Sequence, residues 1–211
     1  MAEFINTADV IGDDAVSDQF IMRTIKEYME NRITKVGQYA FYGCTALAKV
    51  DVPNATKIET YAFSGCSALK SIDAAGITEI GNYAFQKCVA LAEVCFPLVS
   101  DRIIYTFPDC TRLAKADFPC VSSIGAETFA RCTALTALIL RNDKVCTLAS
   151  TNSFNGTAIA NGTGYIYVPK SLVDSYKAAT NWSTFAFRAL EDYTVDGTVT
   201  GALDDYKIYG G

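Results

Sequence analysis

The sequence predicts an α/β right-handed solenoid, a coil of short rungs with a parallel sheet on one face, short helical turns on the other and helical caps at both ends. Three observations carry this expectation. Phe41, Phe63, Phe85, Phe107 and Phe129 recur at a fixed step of 22 residues, and a period of that length marks stacked repeats. Cys44, Cys66, Cys88, Cys110 and Cys132 keep the same step, as do Leu47, Leu69, Leu91, Leu113 and Leu135. Within each unit the apolar period then changes, from the turn-like spacing Tyr39-Ala40-Phe41-x-x-Cys44 to the alternation Leu47-x-x-Val50-x-Val52 of a strand.

A unit of 22 residues is too short to bury its own apolar stripe, so adjacent units must share one core. The Phe, Cys and Leu columns are expected to form that core ladder. Val50, Ile72, Val94, Ala116 and Leu138 continue it on the strands, and Tyr39, Tyr61, Tyr83 and Tyr105 form a fourth column. Pro53, Pro97 and Pro119 are placed to close strands, where a missing N–H costs no ladder bond. Gly37, Gly81 and Gly125 are read as the tight bend before each turn. Arg102 stands where other copies carry an apolar residue, and Ile103 and Ile104 follow it, so the fourth unit is expected to shift register.

The unit Ile-Gly-x-Tyr-Ala-Phe-x-x-Cys-x-x-Leu-x-x-Val-x-Val-Pro, as in Val36 to Pro53 and Ile80 to Pro97, resembles the BspA-like leucine-rich repeat. The resemblance covers roughly residues 33–143 directly. It implies a leucine-rich-repeat solenoid and an association with adhesion and surface recognition.

The flanks are read as caps, because the end rungs would otherwise expose apolar faces and strand edges. The division is an N-terminal helical cap at 1–32, a solenoid at 33–169, a C-terminal helical cap at 170–192 and a β-prone tail at 193–211. Ile21, Met22, Ile25, Tyr28 and Met29 share one face of a helix over about 14–30. Tyr165 to Val168 reads as a sixth strand, with six inserted residues forming a loop near Asn155 to Gly164. A helix is expected to start at Ser171-x-x-Asp174 with capping-box character, turning Val173, Tyr176 and Ala179 inward before Trp182. The tail is either an extra strand or a partner-binding arm.

Composition narrows function. The chain has 211 residues, half of them hydrophobic, with 18 Lys and Arg against 23 Asp and Glu and a net charge of -5. Scattered cations in an acidic chain argue against nucleic acid, whose phosphates need clustered positive charge. No apolar run is long enough for a transmembrane helix. Met1 to Asn6 lacks the basic and apolar regions of a secretory signal, so the expectation is a cytoplasmic or virion-associated protein, or a cell-surface one if a signal was removed.

Histidine is absent, which removes Ser-His-Asp and Cys-His catalysis and every His-containing metal site. No Cys-x-x-Cys or phosphate-binding glycine loop occurs, and no metal or cofactor is expected. Ser67 to Lys70 matches a Ser-x-x-Lys nucleophile motif, but each residue sits in a repeat slot that other copies fill with Thr or Ala. The five in-phase cysteines read as small hydrophobes, and Cys95, Cys120 and Cys146 as the more exposed or reactive thiols. The tyrosine column reads as a ladder of half-buried rings in preference to an aromatic platform for sugars.

The candidate binding residues are the outward positions of the strand face: Lys49, Ser71, Glu93 and Lys115 in one column, Asp51, Asp73 and Asp117 in the next. Lys49 and Lys115 are close enough to neutralise two of the aspartates. The leading function is a non-enzymatic binding or adhesion module for a protein or glycan partner. The alternative is a structural or receptor-binding component of a bacteriophage tail, and an enzyme has almost no support.

Overall fold

The computed structural model describes residues 10–11, 33–73, 75–192, 194–195 and 198–199. The helix expected over 14–30 lies outside them, as does most of the 193–211 tail. Of the tail, Thr194–Val195 and Thr198–Val199 are seen as an antiparallel pair.

The chain coils into a parallel β-solenoid with very little helix. One face is built from the expected strands with one addition: Lys49–Asp51 pairs with Ser71–Asp73, and Glu93–Cys95, Lys115–Asp117, Ala137–Ile139 and Tyr165–Val168 follow in a five-stranded sheet that the unexpected strand Phe187–Ala189 completes. Register keeps the repeat step, Val50 beside Ile72 and Val94 beside Ala116. A second set of parallel strands was not foreseen. Lys35–Val36, Lys57–Ile58 and Glu79–Ile80 pair side by side with Val10–Ile11 at the edge, and Arg102–Ile103, Ser123–Ile124 and Thr147–Leu148 form another sheet. Each is two residues long, too short to show a period of two.

The segments expected as helical turns are instead chains of tight turns. Tyr42 N–H donates to the Tyr39 carbonyl at 3.0 Å, Cys44 to Phe41 at 3.1 Å and Leu47 to Cys44 at 3.1 Å. Alternate N–H groups point to the next rung: Tyr39 donates to Thr60, Phe41 to Ala62 and Gly43 to Ser64. A helix would keep these donors for itself, so the turns are what allow the rungs to bond laterally.

Gly37 and Gly81 open the turns, their carbonyls accepting from Ala40 and Ala84. Gly37, Gly81 and Gly125 do not adopt positive φ; Tyr39, Tyr61, Tyr83 and Tyr105 do, at 53° to 59°. Gly81 is needed for closeness, since a Cβ there would lie 2.4 Å from the Thr60 nitrogen.

The core is a file of aromatic rings. Phe41, Phe63, Phe85, Phe107 and Phe129 are at most 1% exposed and stack in near-parallel pairs 5.1 to 5.6 Å apart. Phe154 extends the file at 5.7 Å from Phe129. Cys44, Cys66, Cys88, Cys110 and Cys132 are buried, as are Leu47, Leu69, Leu91, Leu113 and Leu135. The thiols of Cys66, Cys88, Cys110 and Cys132 donate to the carbonyls of Phe41, Phe63, Phe85 and Phe107 at 3.0 to 3.1 Å.

Both irregularities of the repeat are absorbed locally. Ile103 takes the inward slot, buried and paired with Ile124, while Arg102 is exposed. The six inserted residues do not make a single loop. The step is 24 residues at Leu148 against Ile124, 25 at Phe154 against Phe129 and 28 at Ile166 against Leu138. Half of the insertion thus precedes Phe154.

Residues 170–192 are only partly helical. One helix runs Val173–Ala178, and Leu172 at its N-cap makes no side-chain bond, so the capping box does not form. Phe187–Ala189 then adds a strand to the sheet. The rung end is sealed by Tyr176 and Trp182, both fully buried. The Cys146 N–H donates to the Tyr176 hydroxyl at 2.9 Å, and the Trp182 indole N–H donates to the Cys146 carbonyl at 2.6 Å. Cys146 is therefore a core residue, contrary to its expected exposure.

Two measurements test this packing. Thiol titration of the native protein is expected to label Cys95 and Cys120 quickly, both exposed, and to leave the other six unreacted until unfolding; rapid labelling of all eight contradicts the core. Burial also pushes the Cys146 thiol up to about 12, from an ordinary value of 9.0. A thiol held protonated by folding adds stability below its unfolded pKa and loses it as pH rises toward the folded one. Urea midpoints should therefore hold through neutral pH and fall between about pH 9 and pH 12, less so in Cys146→Ser.

Candidate functional site

The alternation of a strand sends every second side chain away from the core, so the strand face is a grid with one row per rung. On its first three rungs Lys49, Asp51, Ser71, Asp73, Glu93 and Cys95 are all exposed. Lys49 and Ser71 are direct neighbours, as are Asp51 and Asp73. Like charges side by side repel, and the Lys49 ammonium lies 4.0 Å from Asp51, a loose contact between two solvated groups. Lys115 reaches Glu93 at 3.7 Å.

Beyond the third rung the grid changes character. Asp117 is 5% exposed and pairs with Arg141 at 3.2 Å, where each side chain is almost entirely enclosed. Sequence reasoning placed Asp117 in a solvated column. Its partner sits two residues past the next strand, where other copies carry Pro53, Pro97 or Pro119, so the pair has no precedent in the repeat. Ala137, Ile139 and Tyr167 occupy the outward positions that follow, and Leu190 folds over them in a small apolar cluster. The Arg188 guanidinium lies over the Tyr165 ring, 3.6 Å from its centre. The strand face is thus open and charged at one end and closed at the other.

The remaining sequence candidates lie apart from the grid. Lys70 is exposed and Ser67 half-buried, and no hydrogen bond joins them, so the Ser-x-x-Lys match has no nucleophile geometry. Tyr39, Tyr61, Tyr83 and Tyr105 stack face to face at 5.0 to 5.2 Å, which leaves their edges and not their faces toward solvent. Among the described residues no group of three or more Cys, Asp or Glu side chains is placed to hold a metal ion. No helix of the described residues is long and apolar enough to cross a membrane.

The profile of the BspA type leucine rich repeat region matches in six copies, over residues 9–136 and 56–184. The chain belongs to this family. Among solved structures, a leucine rich repeat protein of T. pallidum is 25% identical, with 59% of this chain and 70% of that one covered and a TM-score of 0.43. One from Bacteroides ovatus is 19% identical over 85% of this chain and 41% of its own, with a TM-score of 0.42. A leucine rich cell surface protein of Faecalibacterium prausnitzii is 16% identical over 83% and 72%, with a TM-score of 0.28. No curated protein matches.

The two ends of the grid are separable by stability. Removing one partner of an enclosed ion pair costs about 3 to 5 kcal/mol, whereas exposed substitutions stay within about 0.5 kcal/mol. Urea unfolding should show Asp117→Ala strongly destabilised and Asp73→Ala nearly unchanged. Equal effects would return Asp117 to the surface.

Proposed function

We propose that this chain is a non-enzymatic recognition module that engages a protein partner through the open end of its strand face. The observation that carries the reading is the run of exposed outward side chains on three successive strands, Lys49, Asp51, Ser71, Asp73 and Glu93, bordered by Lys115. Membership of a repeat family supports it, since stacked repeats build extended surfaces from side chains the core does not use. Both signs of charge occur within a few ångströms, as in Lys49 beside Asp51 and Lys115 beside Glu93. That mosaic suits a folded protein of complementary pattern better than a uniformly charged polymer. Adhesion to a surface protein is the use that the family resemblance suggests.

The test is a charge reversal on the grid. The wild-type chain is screened on an array of cell-surface and extracellular-matrix proteins, and its hits are titrated with the triple variant Asp51→Lys, Asp73→Lys, Glu93→Lys. Binding is expected to weaken by about tenfold or more, because each rim charge modulates encounter and register. Affinity retained by the triple variant for every hit dismisses the face.

A further inference from the structure

The tyrosine column forms a second outward feature, on the turn side of the coil. Tyr39, Tyr61, Tyr83 and Tyr105 stand in one file with ring centres 5.1, 5.0 and 5.2 Å apart and planes within 14° of parallel. Tyr42 leans edge-on against Tyr39 and Tyr61, at 5.7 and 6.4 Å. Tyr39 and Tyr42 are 38% and 51% exposed, and the other three rings are half-buried. Stacking covers the ring faces, so what the file offers to solvent is a row of ring edges and phenol hydroxyls. None of those four hydroxyls is hydrogen-bonded to another described residue.

Charges of both signs, Lys87 and Glu127 among them, lie along the borders of this ridge. Gln38 and Asn82 are exposed beside it, with Thr60 between them in the same column, and Gln86 lies on the other flank. The nearest strand charges are matched against each other, Lys35 with Glu59 at 3.0 Å and Lys57 with Glu79 at 2.9 Å. A ridge of phenol hydroxyls repeating once per rung, flanked by the amides of Gln38, Asn82 and Gln86, is a hydrogen-bonding surface for a neutral polymer with the same repeat.

We propose that the tyrosine ridge binds a neutral, extended β-linked polysaccharide laid along the solenoid axis, one sugar to each rung. A β-1,4-linked chain advances by close to the ladder spacing per sugar with alternate sugars turned over, so its same-face hydroxyls recur every second rung and stay in step with the ladder. An extended peptide fits less well, because its same-face side chains recur every ~6.6 Å, twice the strand rise, and fall out of step with the ladder within two rungs. A polyanion is disfavoured because no cation occupies the ridge columns. The ligand contacts phenol oxygens and flanking amides, in contrast to the face-on stacking common at aromatic sugar platforms.

The proposal stands apart from the strand-face reading, and one experiment separates them. Native-gel affinity electrophoresis of the whole chain uses hydroxyethylcellulose, galactomannan and arabinoxylan as neutral β-1,4-linked probes, with α-linked pullulan as the geometric control. The wild type should be retarded by at least one β-linked probe and not by pullulan. The double variant Tyr61→Phe, Tyr83→Phe keeps the stack and loses two hydroxyls, and should bind about tenfold more weakly or worse. The triple strand-face variant should bind as the wild type does. Retardation by no β-linked probe, equal retardation by pullulan, unchanged affinity in the double Phe variant, or loss of binding in the strand-face variant overturns the proposal.

Discussion

The lateral hydrogen bond from one rung to the next sets everything else in this molecule. Phe41 donates to Ala62, Phe63 to Ala84 and Phe107 to Thr128, each at 2.8 to 2.9 Å. These bonds hold successive copies at about the spacing of neighbouring β-strands. Every side chain therefore meets its own equivalent above and below, and a residue type survives in a column only if it tolerates itself as a neighbour. Phenylalanine stacks, and cysteine donates its thiol to the carbonyl of the rung before. Charge requires staggering: Lys35 and Lys57 stand side by side in register, yet each reaches a glutamate of the following rung, Glu59 or Glu79.

The same constraint explains the tyrosines at positive φ. The backbone of each turn must enter the left-handed region there, which costs a non-glycine residue roughly 1 to 2 kcal/mol. Stacked aromatic pairs return about 0.5 to 1.5 kcal/mol apiece. The column is therefore near balance, and where the stack ends, at Glu127, a residue with no ring occupies the same conformation. Gly43, Gly65 and Gly156 fill a second left-handed position in their turns, which Lys87, Asp109 and Arg131 fill in the rungs between. Asp109 and Arg131 meet across adjacent rungs through two hydrogen bonds, and this contact holds the Asp109 carboxyl below the ordinary carboxylate range. Solvated as it is, the pair adds little stability.

What was legible in the sequence is what repeats. The Phe, Cys and Leu columns, the strands after them and the shift at Arg102 all follow from counting in steps of 22 residues. What escaped was set by partners off that step. Asp117 looks like Asp51 and Asp73 until Arg141, in a slot used elsewhere for proline, encloses it. Cys146 looks irregular because its rung carries two extra residues, and it is buried because Tyr176 and Trp182, 30 and 36 residues on, bond to its backbone. The left-handed tyrosines escaped for a different reason, since residue type alone assigns such turns to glycine.

Because each rung contacts only its neighbours, the surfaces of this coil are energetically separate. The strand face and the tyrosine ridge belong to the same rungs, with the phenylalanine file lying between them in the buried core. A substitution outside that file changes one surface without passing strain to the other, provided the lateral bonds remain. The limits of each surface are set differently. The ridge ends where the ring column ends, at Tyr105. The open grid ends where the outward side chains of Asp117, Ile139 and Tyr167 are covered, the first by Arg141 and the others by Leu190. Both therefore stop while the repeat is still in phase, since the 22-residue step holds through Phe129 and Leu138, so the core pattern outlasts the surfaces built on it.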